Sequence, residues 1–246
     1  MKLEEYARAV LQDGNTDDFP KTLELTQKLV GVLTSLYVTG EKEGREYGCN
    51  LTYEPAEGEF IVSMRYQGDS NSCPIRTMAH LENCADAHCH PADSIGDVGG
   101  YSPHSMEDFL AFEDQRHKPL FVRFVVSGDH IYAVSYRKGR TIFDAQGIDE
   151  VRGELAYQIK QYFNARCPVG EEERIKRVMR VQEEAQKLEK DPNEAAFALV
   201  TEFKKKTPGL GNFTREATMK ACEKVAAKYK FGFYARSETY KLGRVV

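Results

Sequence analysis

His88 and His90 stand two residues apart just ahead of Pro91, and this short run restricts the chain around it more than any other. Side chains alternate faces along a strand, so imidazoles at i and i+2 project to one side. Pro91 has no N–H to give to a ladder and ends the strand. Residues 85–90 therefore read as a short strand whose end carries both rings. A Gly- and Asp-rich loop follows, and then Ser105-Met106-Glu107-Asp108 opens a predicted helix over 105–116, with Phe109, Leu110 and Phe112 toward its buried side. Two imidazoles and a carboxylate, brought together from a strand end and a helix start, suit a catalytic zinc: three protein ligands leave one position for water.

The flanking sequence reads as a mixture of helices and strands. Residues 2–12 form a short helix, and 21–38 a stronger one, with Leu23, Leu25, Leu29, Val30, Val32, Leu33 and Leu36 near helical spacing and Gly40 at its end. Residues 46–53 and 60–66 form a hairpin about the turn 54–58. Apolar strands at 120–126 and 131–136, joined by Ser127-Gly128-Asp129, continue into a third short strand at 141–143 as a meander. Residues 150–164 are helical, with Val151, Leu155, Ile159 and Phe163 on one face. A charged helix covers 171–190, and another runs from Pro192 to about 206. Thr207-Pro208-Gly209-Leu210-Gly211-Asn212 breaks the chain before a helix over 214–229, and 231–235 and 240–242 are closing strands. The pattern is α+β: a mixed β-sheet flanked by helices, with a helical insertion before the C-terminal strands.

Composition narrows the function classes. The 246 residues are 41% hydrophobic, with 13 Phe and 13 Tyr, enough for a packed core. A net charge of −4 argues against general nucleic-acid binding, which leaves a basic footprint. The basic run 174–180 is flanked by acidic residues and reads as a solvated helix face. No N-terminal apolar h-region and no apolar run of membrane-spanning length is visible, so a cytoplasmic protein without a membrane partner is expected. The six cysteines, Cys49, Cys73, Cys84, Cys89, Cys167 and Cys222, show no CxxC pair and read as free thiols. Cys89 lies between the two histidines, so its side chain faces away from the metal. His80, His104, His117 and His130 read as ordinary polar residues, although His104 neighbours the site.

A water activated by a metal must lose a proton, and a leaving amine must gain one. One carboxylate beside the metal, not ligating it, can do both. Glu46 is the candidate, since it starts a strand next to Gly48, where backbone and substrate can approach closely. Glu41 and Glu43 lie in a loop-like EKEG run. An upstream Glu, then His-x-His-Pro, then Ser-x-x-Asp at a helix start resembles the JAMM (MPN-type) zinc metalloprotease family. The resemblance covers roughly residues 44–145. It implies Zn2+ held by His88, His90 and Asp108, Glu46 as general acid/base, and Ser105 helping to hold the oxyanion. It also implies a cytidine-deaminase-like MPN core over 41–169. Residues 1–40 would then be N-terminal helices packing on that core, and 170–246 a helical extension with closing strands. The activity implied is hydrolysis of isopeptide or peptide bonds in a protein or peptide substrate, ubiquitin-like conjugates included.

The interval from His90 to Ser105 is longer than is usual in the family. Residues 92–101 carry three glycines and read as an insertion at the mouth of the site. That loop contains a second Ser-x-x-Asp, Ser94 to Asp97, and Ser102 is a second candidate for the serine role. Asp108 is preferred because the helical apolar pattern after it can fix it in place. Two other functions stand beside the peptidase. A non-catalytic scaffold of the same fold would lack one or more of these residues, and all five roles have a candidate. A metal-dependent nuclease fits poorly with an acidic chain and a single-metal ligand set.

Overall fold

Near-continuous burial marks the central strands, which are covered on both faces, and the chemistry of the turns sets their ends. In chain order, the computed structural model has helix α1 (Leu3–Asp13), strand β1 (Thr22–Glu24), helix α2 (Gln27–Glu43), and strands β2 (Tyr47–Glu54), β3 (Glu59–Gln67), β4 (Asn83–Cys89), β5 (Val122–Ser127) and β6 (His130–Tyr136). Helix α3 (Leu210–Tyr229) and strands β7 (Phe231–Glu238) and β8 (Lys241–Arg244) follow. The structure describes residues 1–13, 19–69, 72–75, 83–91, 103–104, 108, 121–136, 153, 157, 176 and 210–246.

All eight strands join one mixed sheet in the order β1-β8-β7-β6-β5-β4-β2-β3. The expected hairpins form: β2 pairs antiparallel with β3, and β5 with β6. Ser127 faces His130 across the second turn, where Gly128 takes φ 64, a conformation that costs glycine little. Strands β4 and β5 are parallel, and a parallel pair needs a long crossover connection. Here the crossover leaves β4 just after the two histidines, and it carries Asp108 on helical backbone.

One sheet face packs on α1 and α2, with Leu29, Val30, Leu33 and Leu36 against Cys49, Leu51, Ala85, Ala87, Cys89 and Phe124. The other face packs on α3, whose Ala221, Cys222, Val225 and Ala226 meet Val125, Tyr132, Val134, Phe231 and Phe233. The fold is thus α+β with helices on both faces. No helix among the described residues is long and apolar enough to cross a membrane.

Several expectations change. The helix expected over 21–38 begins later: residues 22–24 are β1, paired with β8 at the sheet edge. Leu23 and Leu25 are buried at i and i+2 beside exposed Glu24, an alternation that belongs to a strand. Thr26 then caps α2, its hydroxyl accepting the Leu29 N–H at 3.2 Å. Gly40 does not end this helix. The helix runs through Glu41 and Glu43, which are therefore not in a loop, to the left-handed cap at Gly44 (φ 63). The third strand expected over 141–143 lies outside the described residues, and β6 is flanked by β5 and β7. Leu210, Gly211 and Asn212, expected in a breaker, are the first turn of α3. Poor helix formers are tolerated there, where backbone N–H groups have no helical partner to lose. Of the helices expected over 105–116, 150–164 and 171–190, the described residues are Asp108, Gly153, Tyr157 and Lys176, each on helical backbone, and the helix expected over 192–206 lies outside the described residues.

Candidate metal centre

Strand parity gathers the polar residues. Along β4, Ala85, Ala87 and Cys89 face the core under α2, while Asp86 and His88, with His90 just beyond, face the other way. Gly48 and Asn50 of β2 pair with His88 and Asp86. Glu46, two residues before Gly48, falls on the same side. His90 is pinned past the strand end: its N–H reaches Val126 O at 2.9 Å, and Ser127 Oγ donates to its carbonyl at 2.9 Å. Glu46 is pinned likewise, donating its N–H to Asp69 O (2.7 Å) and accepting from Gly68 N–H (2.8 Å).

The site atoms converge. His88 Nε2 and His90 Nε2 lie 3.1 Å apart. Asp108 Oδ1 is 2.8 Å from His88 Nε2, and Oδ2 is 3.5 Å from His90 Nε2. Ligand atoms of Glu46, His88 and His90 fall within 4.8 Å of one another, and all three residues are buried. A tetrahedral zinc with bonds near 2.0–2.1 Å sets its ligand atoms about 3.3 Å apart. The three distances among His88, His90 and Asp108 bracket that spacing, and the mixed imidazole and carboxylate donors suit a divalent ion. The buried group Glu46, His88 and His90 could hold a metal ion.

The two carboxylates diverge electrostatically. Burial pushes Glu46 up, with Asp108 and Asp69 adding to the rise, and the partial opposition of His90 and His88 does not cancel it. For Asp108, burial also pushes upward, but the His88 charge and hydrogen bonds from both imidazoles outweigh it and hold the carboxyl well below its usual range. One acid is thus fixed as an anion against the histidines, while the other is readier to take up a proton.

The remaining expectations have mixed outcomes. Cys89 is buried and points away from the imidazoles, accepting the Tyr47 N–H at 3.2 Å, with burial pushing its thiol up to about 12. The five described cysteines are free. His104 is buried edge-on to Phe233 with its Nε2 on the Arg123 carbonyl at 3.1 Å, and burial lowers its imidazole to about 3. His130 is half-buried against Arg215 and Asp129. Ser105, Asp97, Ser102, His80, His117, Cys167 and the loop 92–101 lie outside the described residues. The close approach expected at Gly48 is made by the chain itself: a Cβ there would stand 2.7 Å from Ile75 Cδ1 and 2.9 Å from Cys73 Sγ.

Sequence reasoning missed Arg123. It sits in the apolar run of β5, fully buried, with Nε and Nη2 on Asp86 Oδ1 and Oδ2 at 2.9 and 2.7 Å. Its Nη1 donates to the Asp108 carbonyl at 2.9 Å. The available signal was a lone cation amid Phe121, Val122, Phe124, Val125 and Val126, with an unexplained Asp two residues before His88.

The chain matches no protein-family model, no curated protein and no solved structure.

Proposed function

We propose that this chain is a zinc-dependent hydrolase of JAMM type that cleaves isopeptide or peptide bonds. The observation that carries this reading is the convergence of His88, His90 and Asp108 at ligand spacing, with the raised carboxyl of Glu46 beside them. An MPN-type core is supported by the hairpin β2–β3 at the Glu46 end and by the parallel pair β4–β5, whose crossover carries Asp108.

His88, His90 and Asp108 would hold the ion, and zinc would supply Lewis acidity for a carbonyl and for water. The rest belongs to the chain. Glu46 has the elevated proton affinity a general base needs to take a proton from water and return it to the leaving amine. Asp108 stays ionised beside the imidazoles and so keeps their Nε2 atoms turned inward. Ser105 is assigned the oxyanion role through the family resemblance. A protein or peptide is the proposed partner. The alternative is a catalytically silent scaffold of the same fold.

Metal analysis and a panel of peptides and ubiquitin chains separate the two. Wild-type protein is expected to carry one zinc per chain, and the pair His88→Ala with His90→Ala to lose it. Glu46→Gln is expected to keep the metal and lose cleavage by at least about 100-fold, the scale of general acid–base catalysis. Equal cleavage by wild type and Glu46→Gln would refute the mechanism.

A further inference from the structure

We propose that Arg123, clamped by Asp86, is a positioning residue that places Asp108 for metal binding, an inference that rests on the metal-site reading above. The three ligand residues reach the site by different routes. His88 is fixed by the β4 ladder, and His90 by backbone bonds to β5 just beyond it. Asp108 arrives on the crossover, outside the sheet, and needs another tie. The parallel register places Asp86 opposite Arg123, two residues before the His88 and Val125 pair and so on the same face. The guanidinium forks onto Asp86 with two N–H groups, which fixes its plane. Its remaining terminal nitrogen then points at the main-chain oxygen of Asp108. That bond holds the ligand residue by its backbone and so fixes where the carboxylate can reach. The crossover is tied to Arg123 a second time, because His104 Nε2–H donates to the Arg123 carbonyl at 3.1 Å.

Stability alone gives little reason for this arrangement. Arg123 and Asp86 are both essentially excluded from solvent, and a buried ion pair replaced by well-packed apolar residues is often neutral or stabilising. Placement does give a reason. Partners that orient metal ligands from behind typically change metal affinity by 10–100-fold when removed. Lysine is a poor substitute, because a point charge could satisfy Asp86 but not fork onto it and reach Asp108 together.

The test titrates metal-stripped protein with Co2+ and follows affinity and the visible d–d absorption. Two changes are compared: Arg123→Lys, and the pair Asp86→Leu with Arg123→Met, which removes both charges and spares the fold. Both are expected to bind Co2+ 10–100-fold more weakly than wild type, with altered absorption, while the metal-free double variant keeps its circular dichroism. In an Asp108→Ala background, Arg123→Lys is expected to add no further loss, since its effect runs through that residue. Wild-type affinity and absorption in both variants would overturn the inference, as would an undiminished Arg123→Lys effect without Asp108. Absence of Co2+ binding by the wild type, or unchanged binding after His88→Ala with His90→Ala, would overturn the metal-site reading itself and take this inference with it.

Discussion

Glu46 differs from the acids around it by being buried without being neutralised. A carboxyl whose folded value is raised binds its proton more tightly in the native state. Its contribution to stability is therefore present at low pH and lost as pH climbs from its ordinary value of 4.5 through the raised one. The metal-free Glu46→Gln variant is accordingly expected to be more stable than metal-free wild type at pH 7. The two should converge below about pH 4, where an ordinary glutamate is protonated in both states. Urea midpoints across pH measure the difference, and a gap independent of pH would contradict the assignment. Asp108 works in the opposite sense: its depressed value stabilises the fold above the ordinary aspartate range, and that contribution is lost on acidification. Of these residues, the histidine pair was the most legible, because its spacing is local and strand parity does the rest. Arg123 was not legible. Its partner Asp86 is 37 residues away, and only the β4–β5 register makes them neighbours.

Helix α2 lies close against the strand that bears the histidines. Its buried stripe, Leu29, Val30, Leu33 and Leu36, ends at Gly40, where a Cβ would come within 2.5 Å of Cys89 Sγ and 2.7 Å of Arg45 O. Gly40→Ala is thus expected to destabilise the protein by about 1–3 kcal/mol, the range for overpacking, in spite of alanine's better helix propensity. Cys89→Ala should recover part of that loss, since the Arg45 carbonyl remains in the way; thermal melts of the single and double variants measure the coupling. A stabilised Gly40→Ala protein would contradict the packing. Gly40 was misread as a helix end because glycine commonly marks one, and a close approach between elements leaves no trace in local spacing. The hairpins were legible for the opposite reason: each carries its turn residues between two runs rich in β-branched and aromatic side chains.

The sheet joins distant parts of the chain. Strand β1 near one end pairs with β8 near the other, and β7 lies beside β6, so the last strands extend the same sheet that carries the site. Local patterns suggested that these segments are strands; their order depends on pairings across more than 90 residues, which periodicity does not encode. In this sheet, polar side chains of β2, β4 and β5 meet on one face, and the crossover brings a fourth element to them. The central proposal is that this meeting point holds a single zinc ion. Anomalous diffraction at the zinc edge from crystals grown with zinc tests it most directly. The account predicts one dominant peak within about 2.0–2.2 Å of His88 Nε2, His90 Nε2 and an Asp108 carboxylate oxygen, with Glu46 nearby. A crystal in which zinc binds elsewhere, or in which these three side chains carry no peak between them, would contradict it.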